Sequence, residues 1–208
     1  MTVDQLVEDT REVTEYLKSR FGQNKIYLLG HSWGSYLGVK TIEKYPENYL
    51  AYIGIGQVSN QKESERLAYQ YILSRAKQMN DKDVIEKLEK YDPYADDFPQ
   101  LDYLVKGRTA ILNKYGIGHL HQGVTSWDIL KSLFVFKGYT VTEKINWFLG
   151  ADFSMIHLFP GLLEDDLFLS SVKFEVPFYI TQGTHDYMVS QVLAEKYAEA
   201  CEAGVYFI

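Results

Sequence analysis

Residues 25–38 read Lys-Ile-Tyr-Leu-Leu-Gly-His-Ser-Trp-Gly-Ser-Tyr-Leu-Gly, KIYLLGHSWGSYLG. Lys25 to Leu29 is a short apolar run with β-branched and aromatic side chains, the composition of a buried strand. Gly30-His31-Ser32-Trp33-Gly34 follows as a Gly-x-Ser-x-Gly turn, and a helix from Ser32 to about Lys44 comes next. A strand that turns this sharply into a helix holds its serine strained at the tip, with Oγ pointing out of the sheet. Side chains at Gly30 and Gly34 are expected to collide with neighbouring backbone. The turn also opens a helix N-terminus, where free N–H groups favour negative charge. Ser32 is therefore the candidate nucleophile. The backbone N–H of Trp33 is the candidate first donor to an oxyanion.

Working outward, Thr2 and Gln5 have capping-box spacing. Val3, Leu6, Val7, Val13, Leu17 and Phe21 then mark one helical face, and Gly22 ends the helix. The uninterrupted apolar run before the serine is typical of a parallel sheet covered on both faces. Pro46 closes the second helix, Tyr49 to Ile55 reads as the next strand, and Gly56 begins a loop. This β–α–β order predicts an α/β fold. From Gln61 the pattern turns helical, over 61–79, 82–91, 100–115, 126–136 and 142–157, with Pro93 and Pro99 bracketing a loop. Val176-Pro-Phe-Tyr-Ile-Thr-Gln-Gly-Thr-His-Asp186 returns to an apolar strand ending in a Gly-x-x-Asp loop, followed by a helix at 189–203 and a strand at Val205–Ile208. The chain divides into a first core part (1–58), a helical cap (59–172) and a second core part (173–208). Tyr103, Trp127, Phe134, Trp147, Phe148 and Phe153 either line a pocket under this cap or form its own small core.

The run GHSWGSYLG, with its helix ending at Tyr45-Pro46, resembles the α/β-hydrolases related to proline iminopeptidase. The resemblance covers Thr2 to about Asn60 and returns at Val176 to Ile208. It implies a partial α/β-hydrolase fold, mostly parallel sheet with an inserted helical cap. It also implies a serine hydrolase that cleaves an ester or amide bond, aminopeptidase-like in the intact parent. Asp186 maps to the acid of the family's triad, whose order is Ser, then Asp or Glu, then His. The base histidine lies on the loop after the next strand in that family, and the chain stops inside that strand, at Ile208. Of the five histidines, His31 is the elbow's own x position and His185 adjoins the acid, while His119, His121 and His157 fall in the cap. The family's early strands, with the loop that donates the second oxyanion N–H, have no counterpart before the helix at 3–21. The chain thus reads as an internal segment whose own catalysis is near background. The alternatives are a truncated, non-catalytic binding module and an esterase-type enzyme. The resemblance further suggests that the acidic run Glu164-Asp165-Asp166 grips a substrate amine, against the ordinary reading of a solvated helix end.

The 208 residues carry 21 basic and 28 acidic side chains, a net charge of −7. That balance argues against nucleic acid and anionic membrane as partners. A small molecule or peptide is the expected substrate. No cofactor is implied, and the His119-x-His121 pair lacks a third ligand cluster for a metal. No apolar run approaches 18 residues. Met-Thr-Val-Asp-Gln does not read as a signal peptide. The single Cys201 leaves no internal disulfide, and a cytoplasmic location is the simplest expectation. With earlier strands lacking, Lys25 to Leu29 is expected to become a sheet edge, covered by a second copy or a rearranged segment.

Overall fold

The computed structural model describes residues 1–115, 126–202 and 204–208, apart from the side chains of 105, 106, 126–129, 148 and 152. Helix α1 (Val3–Phe21) starts where Thr2 Oγ1 accepts from the Gln5 N–H at 3.2 Å. It stops at Gly22, whose φ of 62° lets its N–H reach back to Lys18 and Ser19. Strand β1 (Ile26–His31) leads into α2 (Trp33–Lys44), a 3₁₀ turn at Pro46–Asn48, and β2 (Tyr49–Ile55). Helical structure follows in α3 (Gln61–Gln78), α4 (Lys82–Leu88), a π-helical segment at Tyr103–Arg108, α5 (Thr109–Lys114), α6 (Ser126–Val135), α7 (Val141–Glu164) and α8 (Leu167–Ser170). Strand β3 (Phe178–Thr181), α9 (Gln191–Ala200) and β4 (Val205–Phe207) complete the order.

The four strands form one parallel sheet in the order β1-β2-β3-β4. Leu28, Tyr52, Phe178 and Val205 align across it and point toward α2 and α9, where Tyr36, Val39, Ile42, Ala194 and Tyr197 complete the core. A second core, built on Tyr69, Ile72, Leu88, Phe98, Tyr103 and Leu112, joins α3 to α4, the π-helical segment and α5. Among the described residues, the helical segment leaves and rejoins the sheet at one clasp. Asn60 Nδ2 donates to Asp166 Oδ2 at 2.8 Å, and the Leu167 N–H donates to the Ser59 carbonyl. No described helix is long and apolar enough to cross a membrane.

Three expectations need correction. Among the described residues, only one face of the sheet is fully covered. Tyr27 and Leu29 are exposed on the other, and Tyr206, stacked on Tyr179, is half-exposed beside them. β1 does lie at the end of the sheet, and no described segment pairs with its outer edge. The buried stripe of α1 runs through Val3, Val7 and Thr14, leaving Val13 and Phe21 in solvent. Polar Thr14 is drawn inside because its hydroxyl bonds Tyr49 Oη at 2.9 Å. Finally, a side chain at Gly34 would meet open space, so its glycine answers to no collision. Around the turn, Gly30 and Gly38 are crowded. An added Cβ at Gly30 would stand 2.4 Å from the Gly34 carbonyl oxygen, the expected backbone collision, and 2.7 Å from Tyr52 Oη; at Gly38 it would stand 2.5 Å from the Tyr52 ring.

Gly38→Ala is expected to force Tyr52 aside and destabilise the fold by about 1–3 kcal/mol. Gly150→Ala, on α7 with nothing within reach of the new methyl, is expected to stabilise it by about 0.5–1 kcal/mol. Urea unfolding of the two variants checks the opposite signs.

Candidate active site

The three strands β1, β2 and β3 end side by side, and their carboxyl ends are stitched together by backbone groups. The Ser32 N–H donates to the Ile55 carbonyl at 2.9 Å and the Gly56 N–H to the Thr181 carbonyl at 3.0 Å. Ser32 itself has φ 53° and ψ −123°, a strained left-handed conformation for a residue with a side chain. Its hydroxyl makes no capping bond to α2. Such a backbone is what a sharp strand-to-helix turn imposes, and it excludes an ordinary N-capping serine. Trp33 opens α2, so its N–H belongs to the first turn, which has no partner inside the helix.

The turn is held from beneath. Ser35, fully buried, donates its hydroxyl to the Ser32 carbonyl at 2.6 Å and accepts from the Val58 N–H at 2.9 Å. Tyr52 Oη donates to the Ser35 carbonyl at 2.8 Å. Burial alone drives the Tyr52 phenol far above its ordinary value, so it stays a neutral donor.

Asp186 sits across Gly56 from Ser32. A Cβ placed on Gly56 would lie 3.7 Å from Asp186 Oδ2 and 3.8 Å from the Ser32 nitrogen. Those are ordinary contact distances; it is the φ of 59° that favours glycine at position 56. One carboxylate oxygen of Asp186 anchors its own loop, accepting from the N–H groups of Met188 at 2.9 Å and Val189 at 3.0 Å. The other accepts from Gln182 Nε2 at 3.2 Å. Gln182 also takes the Gln57 N–H on its Oε1 at 2.8 Å, tying the loop after β2 to the loop after β3. The turn role and the proximity to Ser32 thus belong to different oxygens of one residue.

Above Ser32 lies a cavity of about 560 Å³. Trp33, Val58, Met155, Leu158, Phe159 and Leu162 make most of its wall apolar. Its polar groups besides Ser32 are Gln61, Arg108 and Ser154. Gln61 and Arg108 belong to a buried cluster with Glu65. Glu65 Oε1 accepts from Arg108 Nη1 and, at 2.8 Å, from Gln61 Nε2. Glu65 Oε2, Gln61 Oε1, Arg108 Nε and Trp33 Nε1 are buried without a partner. Burial pushes the Glu65 carboxyl up, while Arg108 and Gln61 pull it back.

The other anticipated residues lie elsewhere. His31, His157 and His185 are exposed, and none lines the cavity. His157 bonds the Phe153 carbonyl and His185 the Thr184 hydroxyl. His119 and His121 fall outside the described residues. Asp165 binds Lys40 at 2.7 Å and accepts from Tyr36 and Ser170, and Asp166 caps α8, so these two carboxylates serve structural contacts. Of the cap aromatics, Tyr103 is buried in the second core, whereas Phe134, Trp147 and Phe153 are exposed. The side chains of Trp127 and Phe148 are outside the description. Among the described residues, no group of three His, Cys, Asp or Glu side chains could hold a metal.

The structure thus sets a left-handed serine between a parallel strand and a helix, with an aspartate on the loop after β3. The chain belongs to the α/β-hydrolase family: the model of the alpha/beta hydrolase fold matches residues 6–207. It is 30% identical over 206 residues to the probable aminopeptidase YbaC of Bacillus subtilis (strain 168), a match that takes in 98% of this chain and 63% of that protein. The chain therefore spans less than two thirds of that relative's length. Among solved structures, it resembles a proline iminopeptidase-related protein from Thermus thermophilus (TM-score 0.63, 17% identity, all of this chain and 62% of that one). It also resembles a proline iminopeptidase from Mycobacterium smegmatis (TM-score 0.61, 13% identity, all of this chain and 62% of that one). At these identities the likeness is one of fold.

Arg108→Met strips the buried Glu65 carboxyl of its cation and is expected to cost about 3–5 kcal/mol, most of it recovered in Glu65→Leu/Arg108→Met. The raised Glu65 carboxyl keeps a proton in the folded state at pH values where the unfolded chain has lost it. Stability is therefore expected to fall as pH rises above 4.5, the ordinary Glu value, and Glu65→Gln to flatten that slope in urea titrations across pH.

Proposed function

We propose that this chain carries the nucleophile and the acid of a serine hydrolase that cleaves an amide bond at a peptide's amino-terminal residue. The observation that carries the proposal is the strained Ser32 facing a largely apolar cavity, with Asp186 on the loop across Gly56. In this reading Ser32 Oγ attacks the scissile carbonyl as a histidine takes its proton, and the Trp33 N–H binds the developing oxyanion. Asp186 Oδ2 orients that histidine and stabilises its imidazolium. Collapse of the tetrahedral intermediate releases the amine and leaves an acyl-enzyme, which water then hydrolyses.

The name of the Bacillus relative supports an amino-terminal substrate. The cavity supports it too. Gln61, whose Oε1 has no partner, lines it and suits a group rich in N–H donors, while Met155, Leu158 and Phe159 suit an apolar side chain. Among the described residues no histidine stands beside Ser32, and His119 and His121 lie outside them. The second reading is a non-catalytic module that binds the same ligands in the cavity.

A fluorophosphonate probe separates these readings. The chain alone is expected to label near the background rate. Added imidazole is expected to raise labelling at least tenfold, with the label on Ser32 and lost in Ser32→Ala. Hydrolysis of aminoacyl p-nitrophenyl esters under imidazole should favour free over N-acetylated amines, and Gln61→Leu should remove that preference. Labelling that persists in Ser32→Ala sinks the catalytic reading. Fast labelling without imidazole refutes the missing base.

A further inference from the structure

The loop that carries Asp186 is held from two sides, and the two sides grip different atoms. From α3, Gln61 Nε2 donates to the Met188 carbonyl at 3.0 Å, Ser64 Oγ accepts from the Ser190 N–H at 2.8 Å, and the Tyr71 ring stacks on Tyr187 with centroids 3.8 Å apart. Within the loop, Asp186 Oδ1 accepts from the N–H groups of Met188 and Val189, and the Asp186 N–H donates to the Gly183 carbonyl. These contacts fix the backbone and one carboxylate oxygen. None of them reaches Asp186 Oδ2.

That oxygen is held from β3. Gln182, the first residue after the strand, donates Nε2 to Asp186 Oδ2 at 3.2 Å and to the Val189 carbonyl at 3.0 Å, while its Oε1 accepts from the Gln57 N–H at 2.8 Å. These three contacts specify one orientation of the amide. Turned over, Oε1 would face a carboxylate and a carbonyl, and Nε2 would face an N–H. Among the described residues, Gln182 is the one donor to Oδ2. A carboxylate oxygen accepts about two hydrogen bonds, so one acceptor position stays open. Gly56 brings no side chain into the space between Oδ2 and Ser32. The last torsion of an aspartate is broad, so bonds to Oδ1 by themselves leave Oδ2 loosely set.

We infer that Gln182 is a positioning residue, whose amide holds the Asp186 carboxylate so that the open acceptor position of Oδ2 serves a base beside Ser32. The inference rests on the reading of Asp186 as the acid of a serine hydrolase. Gln182 does not line the cavity, so its part in the chemistry runs through Asp186.

Imidazole and N-methylimidazole separate this role from a structural one. Both carry a ring nitrogen able to take the Ser32 proton, but only imidazole keeps an N–H for Oδ2. With the whole chain, fluorophosphonate labelling of Ser32 is expected to run about tenfold faster with imidazole than with N-methylimidazole, at equal concentrations of the neutral bases. Gln182→Met, similar in length but without donor or acceptor, is expected to bring this ratio to about twofold or less, with circular dichroism and the half-saturating probe concentration unchanged. Gln182→Glu keeps an acceptor for the Gln57 N–H but turns another on Asp186, and is expected to lose the ratio as well. Ser64→Ala removes a loop tie that does not reach Oδ2 and should keep it. A ratio that survives in both Gln182 variants while Asp186→Asn abolishes it overturns the inference and leaves the hydrolase reading standing. So does a ratio lost equally in Ser64→Ala. A ratio near one in the unmodified chain, or no label on Ser32 with either base, removes Asp186 from the reaction, and the inference falls with it.

Discussion

The left-handed backbone of Ser32 is the constraint on which the rest of the core depends. Strain of about 1–3 kcal/mol at such a residue persists only where its surroundings over-determine it. Here Ser35 grips the Ser32 carbonyl, Tyr52 grips the Ser35 carbonyl, and Gly30 and Gly38 leave the room in which the Tyr52 ring lies. Tyr52 in turn packs on Phe178 of β3, with ring centroids 4.7 Å apart. The serine at the tip and the middle of the sheet are thus one packed unit, and a change in Tyr52 reaches both.

The cavity shows a second economy. Its floor is the sheet's carboxyl end and its wall is α7, but its polar corner comes from α3 and the π-helical segment that ends at Arg108. A π-helical stretch widens the helix locally and is common where a side chain must be re-aimed. Placing Arg108 against Glu65 puts two opposite charges in the interior with several hydrogen-bonding positions left over. A buried pair of this kind contributes little to stability by itself.

Much of this was legible in the sequence, and the reason differs from place to place. The Ser32 turn, β2 and the Asp186 loop were readable because glycine, serine and apolar periodicity act within a few residues. The stop at Gly22 was readable for the same reason. Gln57, Gln182, Glu65 and Arg108 were not, since each earns its place through a partner 40 or more residues away and carries no local pattern. The α1 stripe was misjudged because Thr14 is polar by type and becomes a core residue only once Tyr49 meets it. The acidic run at 164–166 was drawn toward the site by analogy, whereas Lys40 and Asn60 hold it at the clasp.

That clasp bears on how the chain finds its fold. β2 ends at Ile55 and β3 begins at Phe178, so pairing them directly closes a loop of roughly 120 residues. Once Asn60 and Ser59 meet Asp166 and Leu167, the span left to close shrinks to a few residues on one side and about a dozen on the other. With closure entropy growing as the logarithm of loop length, the difference is about 2 kcal/mol at the moment β3 docks. A helical segment that assembles first and pinches its own ends together thereby turns a distant strand pairing into a nearly local one.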